Sequence, residues 1–532
     1  MARRFPGRKL SIVRVIALCA AIAGIAVIAV SGWTRFEDAR AATATPSFFS
    51  GYVDVTATPT LAFEDATVSK TKSVVLSFIV SDPDSACTPS WGGFYGLDEA
   101  GTSLDLDRRI ARFVQNDGEV AISFGGMANS DLAIACTDSA KLKAAYQNVI
   151  DRYDITTIDL DIEGTDLGDT AAGVRRAEAI AAIQKKQIAA NKHLDVWLTL
   201  PVAPNGLTDE GTTAVAQMLA AKVELSGVNV MTMDFNTGIT TSAGMLDASI
   251  SAAKATHEQV RVLYQATGAD LGDKTLWRKI GLTPMIGQND VPAEVFGLDA
   301  ARGLNDFAQK TGVGRISMWS LNRDATCGGN YPDVKRVSDA CSGIDQGDAL
   351  FAELLASGIT GGSSAATTTP SIAPSTAPNT APRNTPDERS TPPVVDDPAT
   401  SPYQIWTPQA TYVAEDRVVW HGNVYVAKYW TLGDVPDNPS VRSSETPWDL
   451  IGPVLPGDKP QPVIEVPEGT YPKWSATAVY EMGGRVMFNG RIVEAKWWTQ
   501  ADSPQAALEG SNGSAWRKLT NDEVTAILTE KK

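Results

Sequence analysis

Three acidic residues, Asp159, Asp161 and Glu163, alternate with aliphatic residues in the run Ile158-Asp-Leu-Asp-Ile-Glu. In an extended strand alternate side chains share a face, so the three carboxylates line one side and the aliphatic side chains cover the other. Crowded carboxylates raise one another's pKa, which can keep one of them protonated near neutral pH. Glu163, the last acid of the row, is therefore the candidate proton donor to a leaving group.

The same alternation is also typical of an ordinary antiparallel strand with one solvated face. The residues that follow favour a different interpretation. Gly164 ends the run, and a helical pattern then covers residues 171–191, as in a parallel strand and helix unit whose strand is buried on both faces. A buried row of acids needs a cavity, so the pattern indicates a site.

The elements that position this row are eight apolar, β-rich runs, most of them separated by helical patterns. The runs cover residues 48–55, 74–81, 120–124, 158–162, 196–201, 228–235, 280–286 and 316–321, and helical patterns include 139–152, 208–222, 243–259 and 292–310. This count predicts an α/β fold, a (β/α)8 TIM barrel, with catalytic groups at the carboxyl ends of the strands. An open doubly wound sheet is the alternative, although no Gly-rich phosphate loop opens the first helix.

Charge and length limit the function classes. The chain has 532 residues, a net charge of −16 and a pI near 4.8. Because phosphate binding needs a basic surface, a nucleic-acid partner is excluded, whereas a neutral polymer is not. We expect two or more domains and a monomer.

Residues 1–45 are predicted to direct export. Several arginines precede the apolar run of residues 15–30, whose length lies between those of a signal peptide and a membrane anchor. The rest of the chain is then either secreted or tethered at the cell surface.

Four cysteines follow this segment, and an even number in an oxidising compartment favours two disulfides. The simplest of three pairings joins Cys87 to Cys136 and Cys327 to Cys341. Since no Cys-x-x-Cys pair occurs and the three His lack ligand spacing, we expect no metal and no cofactor.

Beyond the barrel, predicted for residues 46–345, the composition changes to Thr, Pro, Ser and Ala over residues 358–402, as in a solvated linker. An internal repeat follows, because the tail matches itself at an offset of 68 residues, with Trp406 falling on Trp474 and Trp448 on Trp516. Two small all-β modules, residues 403–452 and 471–520, are therefore expected on either side of a linker at 453–470.

Eight of the 13 Trp lie between Trp406 and Trp516, more than two such small folds need for packing. In each of the adjacent pairs Tyr429-Trp430 and Trp497-Trp498, the two side chains of a strand would point to opposite faces. At least one ring of each pair should therefore meet solvent. Exposed aromatic rings stack well on the apolar faces of sugars, which makes these four residues candidate carbohydrate contacts.

With these residues laid out, residues 46–345 resemble the family 18 glycoside hydrolases, in particular the bacterial chitinases. The resemblance depends on four motifs that each end a predicted strand: Ser-Phe-Gly-Gly at 123–126, the acidic run at 158–163, Met-Thr-Met-Asp-Phe at 231–235 and Met-Trp-Ser at 318–320. The tail modules resemble carbohydrate-binding families 5 and 12, whose Ala-Lys-aromatic-Trp-Thr core occurs twice here.

The resemblance implies cleavage of chitin with the substrate's acetamido group as nucleophile. Glu163 would be the acid, Asp161 would steady the acetamido N–H, and Asp159 would hold Asp161 and help to share a proton. Asp234, Met233, Trp319, Ser123 and Gly125 would shape or contact the substrate site.

Two positions depart from the family pattern. Thr156 replaces a further Asp, which would remove an inner charge partner of the acids, and Met233 replaces a Tyr whose hydroxyl would hold the acetamido group. Two alternatives to a chitinase therefore stay open: a catalytically silent chitin-binding protein, and an endo-β-N-acetylglucosaminidase.

Overall fold

A computed structural model describes residues 46–66, 68, 71–328, 337–362, 395–438, 441, 445–460, 466–508, 513–519 and 521–530. The chain divides into two compact units, Met1–Ile372 and Ala373–Lys532. The export segment predicted at residues 1–45 lies outside the described residues. Within the described part, no helix is long and apolar enough to cross a bilayer.

Eight parallel strands form the centre of the first unit, in the positions that the sequence predicts. They are β1 (Phe48–Phe49 and Gly51–Asp54), β2 (Ser73–Asp82), β3 (Glu119–Gly125), β4 (Thr157–Asp161), β5 (Asp195–Ala203), β6 (Leu225–Met231), β7 (Ile280–Thr283) and β8 (Arg315–Ile316). Each strand from β2 to β7 pairs with the next in sequence. β4 thus has parallel neighbours on both sides, which excludes the solvated antiparallel strand.

The first strand closes this sheet into a barrel. Its first segment, Phe48–Phe49, pairs with β8, and its second, Gly51–Asp54, pairs with β2. Hydrogen bonds from Ser50 N to the Ile316 carbonyl (2.9 Å) and from Tyr52 N to the Met318 carbonyl (3.1 Å) continue the seam. Closure means that inward side chains of all eight strands meet in one interior.

Helices surround the barrel. The larger ones are Leu106–Gln115, Ser139–Tyr153, Thr170–Ala189, Asp209–Ala220, Ser242–Ala266 and Leu298–Thr311, and the shorter ones are Leu97–Ser103, Leu132–Ala135, Asp273–Arg278 and Phe351–Ala356. Several begin at a side chain that accepts a backbone N–H, such as Asp138, Asp169 and Thr208. These caps satisfy N–H groups that the first helical turn leaves unpaired.

Both predicted disulfides are confirmed. Cys87 lies in an antiparallel strand, Ser85–Trp91, that folds back on β2, and its bridge to Cys136 ties this strand to the helix after β3. Cys327 and Cys341 form the second bridge, which lies after β8. Both bridges therefore brace loops at the carboxyl ends of barrel strands.

The tail unit contains the same set of strands twice, at the predicted offset. The first set is Thr411–Tyr412, Arg417–Trp420, Asn423–Ala427, Thr431–Leu432 and Trp448–Pro453, and the second is Val479–Tyr480, Arg485–Phe488, Arg491–Ala495, Thr499–Gln500 and Trp516–Lys518. The indole N–H groups also repeat, since Trp448 donates to the Asp434 carbonyl and Trp516 to the Asp502 carbonyl. We call these first and second tail modules.

The second module carries an addition that its sequence pattern did not reveal. A helix, Asn521–Glu530, follows the last strand, and its Val524 and Ile527 share a buried cluster with Met487 and Ile492. This helix covers apolar surface that the small sheet alone would leave exposed.

Candidate active site

The acidic row of β4 points into the barrel, as the alternation predicts. Asp159 is fully buried, Asp161 is 4% exposed, and Glu163 lies just past the strand and is half-buried. Ile158, Leu160 and Ile162 are buried on the other face, against the helices. The row therefore runs from the barrel interior towards the mouth, and the last acid is the one that solvent reaches.

Asp159 is the anchor of a hydrogen-bond network in the barrel interior. Its two carboxylate oxygens accept bonds from four side chains on four other strands: Tyr52 (2.9 Å), Ser123 (2.8 Å), Thr199 (2.7 Å) and Arg315 (2.6 Å). Because all four donors point at this carboxylate, its position is fixed from four strands of the barrel.

Arg315 is the cation of this network and is itself only 2% exposed. Its Nη1 donates to Asp159, its Nε donates to Ser317 Oγ at 2.7 Å, and its Nη2 donates to Tyr52 Oη at 3.1 Å. The guanidinium also lies 5.4 Å from the ring centroids of Tyr52 and Trp197. A buried ion pair with its hydrogen bonds satisfied in this way avoids the penalty of a lone buried charge.

Thr156 does not affect the acids as the sequence comparison suggested. Its side chain is exposed just before β4 begins, outside the barrel interior, so the expectation that Thr at position 156 removes an inner charge partner is wrong. Arg315 supplies that partner from β8.

Asp161 and Glu163 have perturbed acidities. Burial raises the pKa of Asp161 well above its usual value, and the negative charges of Glu163 and Asp159 raise it further. Burial likewise raises the pKa of Glu163 to about 7, with hydrogen bonding to Asp161 opposing the rise and the charges of Asp234 and Asp290 adding to it. The two carboxyls together can thus hold a proton near neutral pH.

One oxygen of Asp161 is left without a partner. Oδ1 is buried and accepts no hydrogen bond from any residue that the structure describes. A buried carboxylate oxygen without a donor is costly, so such an atom in a cleft indicates that a ligand supplies the donor.

Asp234 stands after β6 and adds negative charge beside Glu163. It adopts a left-handed backbone conformation (φ 47°), and its Oδ1 accepts the Val291 N–H at 2.9 Å. The fully buried Glu294 shapes this loop by accepting the N–H groups of Phe235 (2.9 Å) and Asn236 (2.7 Å). Burial, with the charges of Asp290 and Glu294, raises the pKa of Asp234 despite that Val291 bond.

The Ser-Phe-Gly-Gly segment supports the acids from β3. Ser123 is fully buried and donates to Asp159, so its hydroxyl belongs to the network. Gly125 has a φ of 103°, and a Cβ there would lie 2.0 Å from the Asp161 carbonyl oxygen. Only glycine therefore allows β3 to approach β4 at the mouth.

An aromatic floor lies at the same mouth. Trp319, after β8, is half-buried and stacks on Phe78 with ring centroids 5.4 Å apart and planes 22° from parallel. Tyr52 lies beneath, 6.1 Å from Trp319. Met233, the other predicted contact, is half-buried beside Asp234. A flat, partly exposed ring next to carboxylates is suited to hold a sugar.

Several site residues were missed from the sequence. Tyr52 and Arg315 each occupy an inward-facing strand position, and another polar residue stands two positions away. This spacing of two, as in the acidic row, is the signal that could have indicated them. Asn289, Asp290 and Glu294 follow the apolar run of β7, where a polar cluster at a strand end is a usable sign of a site. No group of three or more possible metal ligands occurs among the described residues.

The four tail aromatics form two exposed pairs within their own unit. Tyr429 and Trp430 are each 43% exposed, and Trp497 and Trp498 are 47% and 55% exposed. Both rings of each pair therefore meet solvent, whereas Trp448 and Trp516 are buried in the module cores.

Comparison with known proteins relates the chain to chitinases. No family model matches it. The Escherichia coli (strain K12) protein named "Probable bifunctional chitinase/lysozyme" is 36% identical over 261 residues, which is 48% of this chain and 28% of that protein. Endochitinase 11 of Metarhizium anisopliae is 35% identical over 256 residues, 47% of each protein. The chain thus spans less than half the length of these curated relatives.

A solved structure agrees with these relatives. The catalytic domain of the hyperthermophilic chitinase from Pyrococcus furiosus aligns with a TM-score of 0.50 and 28% identity, covering 59% of this chain and 95% of that domain.

The buried ion pair generates a stability prediction. Arg315→Met leaves the Asp159 carboxylate buried without its cation, and we expect it to lower the free energy of unfolding of the barrel by about 3–5 kcal/mol in urea titrations at pH 7. The double variant Asp159→Asn/Arg315→Met removes both charges and should recover most of that loss.

Arg302→Met is the matched control, because Arg302 pairs with Asp299 on the surface and is 52% exposed. It should change the unfolding free energy by less than about 1 kcal/mol. If Arg315→Met is no more harmful than this control, the pair does not hold the interior together.

Proposed function

We propose that this chain, a member of the family 18 glycoside hydrolases, hydrolyses the β-1,4 links between N-acetylglucosamine units of chitin. The names of its relatives support the substrate, and the row of acids at the barrel mouth supports the chemistry. The observation that carries the proposal is the unpartnered Oδ1 of Asp161 beside a glutamate whose pKa is near 7.

The first step is a proton transfer from Glu163 to the bridging oxygen, as the bond from the anomeric carbon to that oxygen breaks. Asp161 lies one inward position deeper on the same strand, where its free oxygen can accept the N–H of the substrate's 2-acetamido group. Its negative charge then stabilises the positive charge that develops on that group.

The acetamido carbonyl oxygen of the substrate attacks the anomeric carbon from the opposite face and forms an oxazolinium ion. Glu163, now a carboxylate, takes a proton from water, and the water oxygen adds to the anomeric carbon as the ring of the intermediate opens. Two inversions give retention, with no carboxylate bonded to the sugar.

Asp159 has a supporting role in this proposal, one step deeper than Asp161. Four donors, among them the Arg315 guanidinium, hold its carboxylate in place. The mobile proton belongs to Asp161 and Glu163, because the pKa of each is raised by burial. Arg315 is therefore a positioning residue that acts through Asp159.

The tail modules supply polymer binding in this proposal. The exposed pairs Tyr429-Trp430 and Trp497-Trp498 offer flat aromatic surfaces, and insoluble chitin offers sugar faces in regular array. The negative net charge is compatible with a neutral polysaccharide, and secretion would place the enzyme where such polymers occur.

The two alternatives differ in their products. A silent chitin-binding protein releases nothing from colloidal chitin, and an endo-β-N-acetylglucosaminidase prefers glycan cores or peptidoglycan. The accessible Glu163 with its raised pKa favours an active enzyme over the silent protein. Release assays on chitin, a glycoprotein glycan and peptidoglycan distinguish all three.

Replacement of the acid tests the proposal directly. Glu163→Gln cannot donate a proton, so we expect kcat on colloidal chitin to fall about 10²–10⁴-fold while the thermal unfolding temperature and polymer binding stay as in the wild type. Glu178→Gln, an exposed site on the helix after β4, is the control and should keep full activity. Full activity of Glu163→Gln would remove it from the chemistry.

A second prediction concerns the acetamido group. Asp161→Asn removes the charge that stabilises the intermediate, and we expect kcat to fall about 10²–10³-fold on N-acetylated oligosaccharides. Deacetylated chitosan oligosaccharides lack the nucleophile and should be poor substrates of the wild type. Equal turnover of acetylated and deacetylated oligosaccharides would contradict the proposed mechanism.

The pH profile gives a third prediction. Glu163 must be protonated to act, so kcat/KM should fall as the pH rises above about 7, the pKa to which its site raises it. Asp290→Asn removes one of the negative charges that raise this pKa, so the fall should begin at lower pH. Profiles of the wild type and Asp290→Asn on a soluble oligosaccharide provide the measurement, and an unchanged profile would argue against this electrostatic link.

A further inference from the structure

The two tail modules contact each other through one loop of the first module. Val413 and Ala414 of this loop are buried, and Val413 belongs to the same apolar cluster as Leu508 and Trp516 of the second module. The backbone N–H of Ala414 donates to the Leu508 carbonyl at 3.2 Å. The first module thus contributes a side chain to the core of the second.

Asp416, at the end of the same loop, adds an ionic contact. Its Oδ2 accepts Arg491 Nη2 at 2.7 Å, and its Oδ1 accepts Lys518 Nζ at 3.1 Å. Its side chain is only 10% exposed. Oδ2 also accepts the N–H of Val413 at 2.9 Å, which fixes the shape of the loop. Two cations on a largely buried carboxylate make a stronger contact than a single surface ion pair.

The residues that make this contact are positions at which the two repeats differ. At the offset of 68, Asp416 corresponds to Gly484, Arg491 to Asn423 and Lys518 to Leu450. The strands around them match between the repeats, so the contact is not inherited from the shared fold. The contact is not reciprocal, because the second module has no carboxylate at the position that corresponds to Asp416.

We infer that the two modules form one rigid body with two sugar-binding faces, which engages two sites on a polymer surface at once. The inference deepens the proposed function of the tail and rests on it. The contact leaves the aromatic pairs uncovered, since their rings stay exposed at 43% to 55% while the Asp416 side chain is 10% exposed.

Rigidity favours one class of ligand. Two sites held in a fixed relation lose less orientational freedom on binding than two sites on a flexible chain, provided that the ligand presents its own sites in fixed positions. Insoluble chitin meets this condition, because its chains are held in register. A short soluble oligosaccharide occupies one face and gains nothing from the docking.

The test uses the full chain carrying Glu163→Gln, so that the polymer is not digested. Asp416→Asn keeps an oxygen for the Val413 N–H but removes the charge that holds Arg491 and Lys518. Arg491→Gln and the double variant probe the same contact from the other side. Asp449→Asn is the matched control, because this first-module carboxylate is 58% exposed and pairs with Lys428 within its own module.

Scanning calorimetry measures the docking. We expect the tail of the parent to unfold in one transition besides that of the barrel, and Asp416→Asn to split the tail transition into two. The double variant should resemble either single variant, and the control should resemble the parent. Two tail transitions already present in the parent, or an unchanged single transition in Asp416→Asn, would overturn the docking.

Binding measures the consequence. Asp416→Asn should lower the apparent affinity for insoluble chitin by about tenfold, with the affinity for a soluble N-acetylglucosamine trimer unchanged. Unchanged affinity for both ligands despite a split transition would overturn the two-site inference. Replacing Tyr429, Trp430, Trp497 and Trp498 together by Ala tests the proposed function separately, since unchanged chitin binding there would refute sugar recognition by the tail while calorimetry still reports on docking.

Discussion

The ion pair between Asp159 and Arg315 is the constraint on which the active site depends. It stands in the barrel interior, where neither charge could be buried alone, and it connects β4 to β8 across 156 residues of sequence. Donors from β1, β3 and β5 complete it. Because the charge of Asp159 is paired with that of Arg315, Asp161 and Glu163 can be crowded together at the mouth, where the negative charge of Glu163 raises the pKa of Asp161.

The strand pattern and the disulfides could be predicted from the sequence because they follow local rules. Alternation fixed the faces of Ile158 and Asp159, and an even cysteine count led to the pair Cys87 and Cys136. The role of Arg315 could not be predicted in the same way, because a cation at the start of an apolar strand gives no indication of its distant partner. For Arg315 an interior residue was missed, whereas for position 156 the motif placed a residue in the barrel interior although the Thr156 side chain is exposed.

The tail illustrates the same limit. The repeat and its exposed aromatic pairs follow from comparison of the sequence with itself, because both copies preserve the same strands. The contact at Asp416 and the last helix depend on residues that the copies do not share, so the repeat pattern could not reveal them. Differences between duplicates were here more informative about assembly than their similarities.

The seam of the barrel has a consequence for how this domain can be combined with others. Phe48, at the amino end of β1, lies beside Gly361, whose N–H donates to the Ser47 carbonyl at 3.0 Å. The two ends of the barrel domain are therefore adjacent, at the amino ends of the strands, opposite the mouth. A segment can therefore be exchanged at either end of the barrel domain without rebuilding the loops around the acidic row.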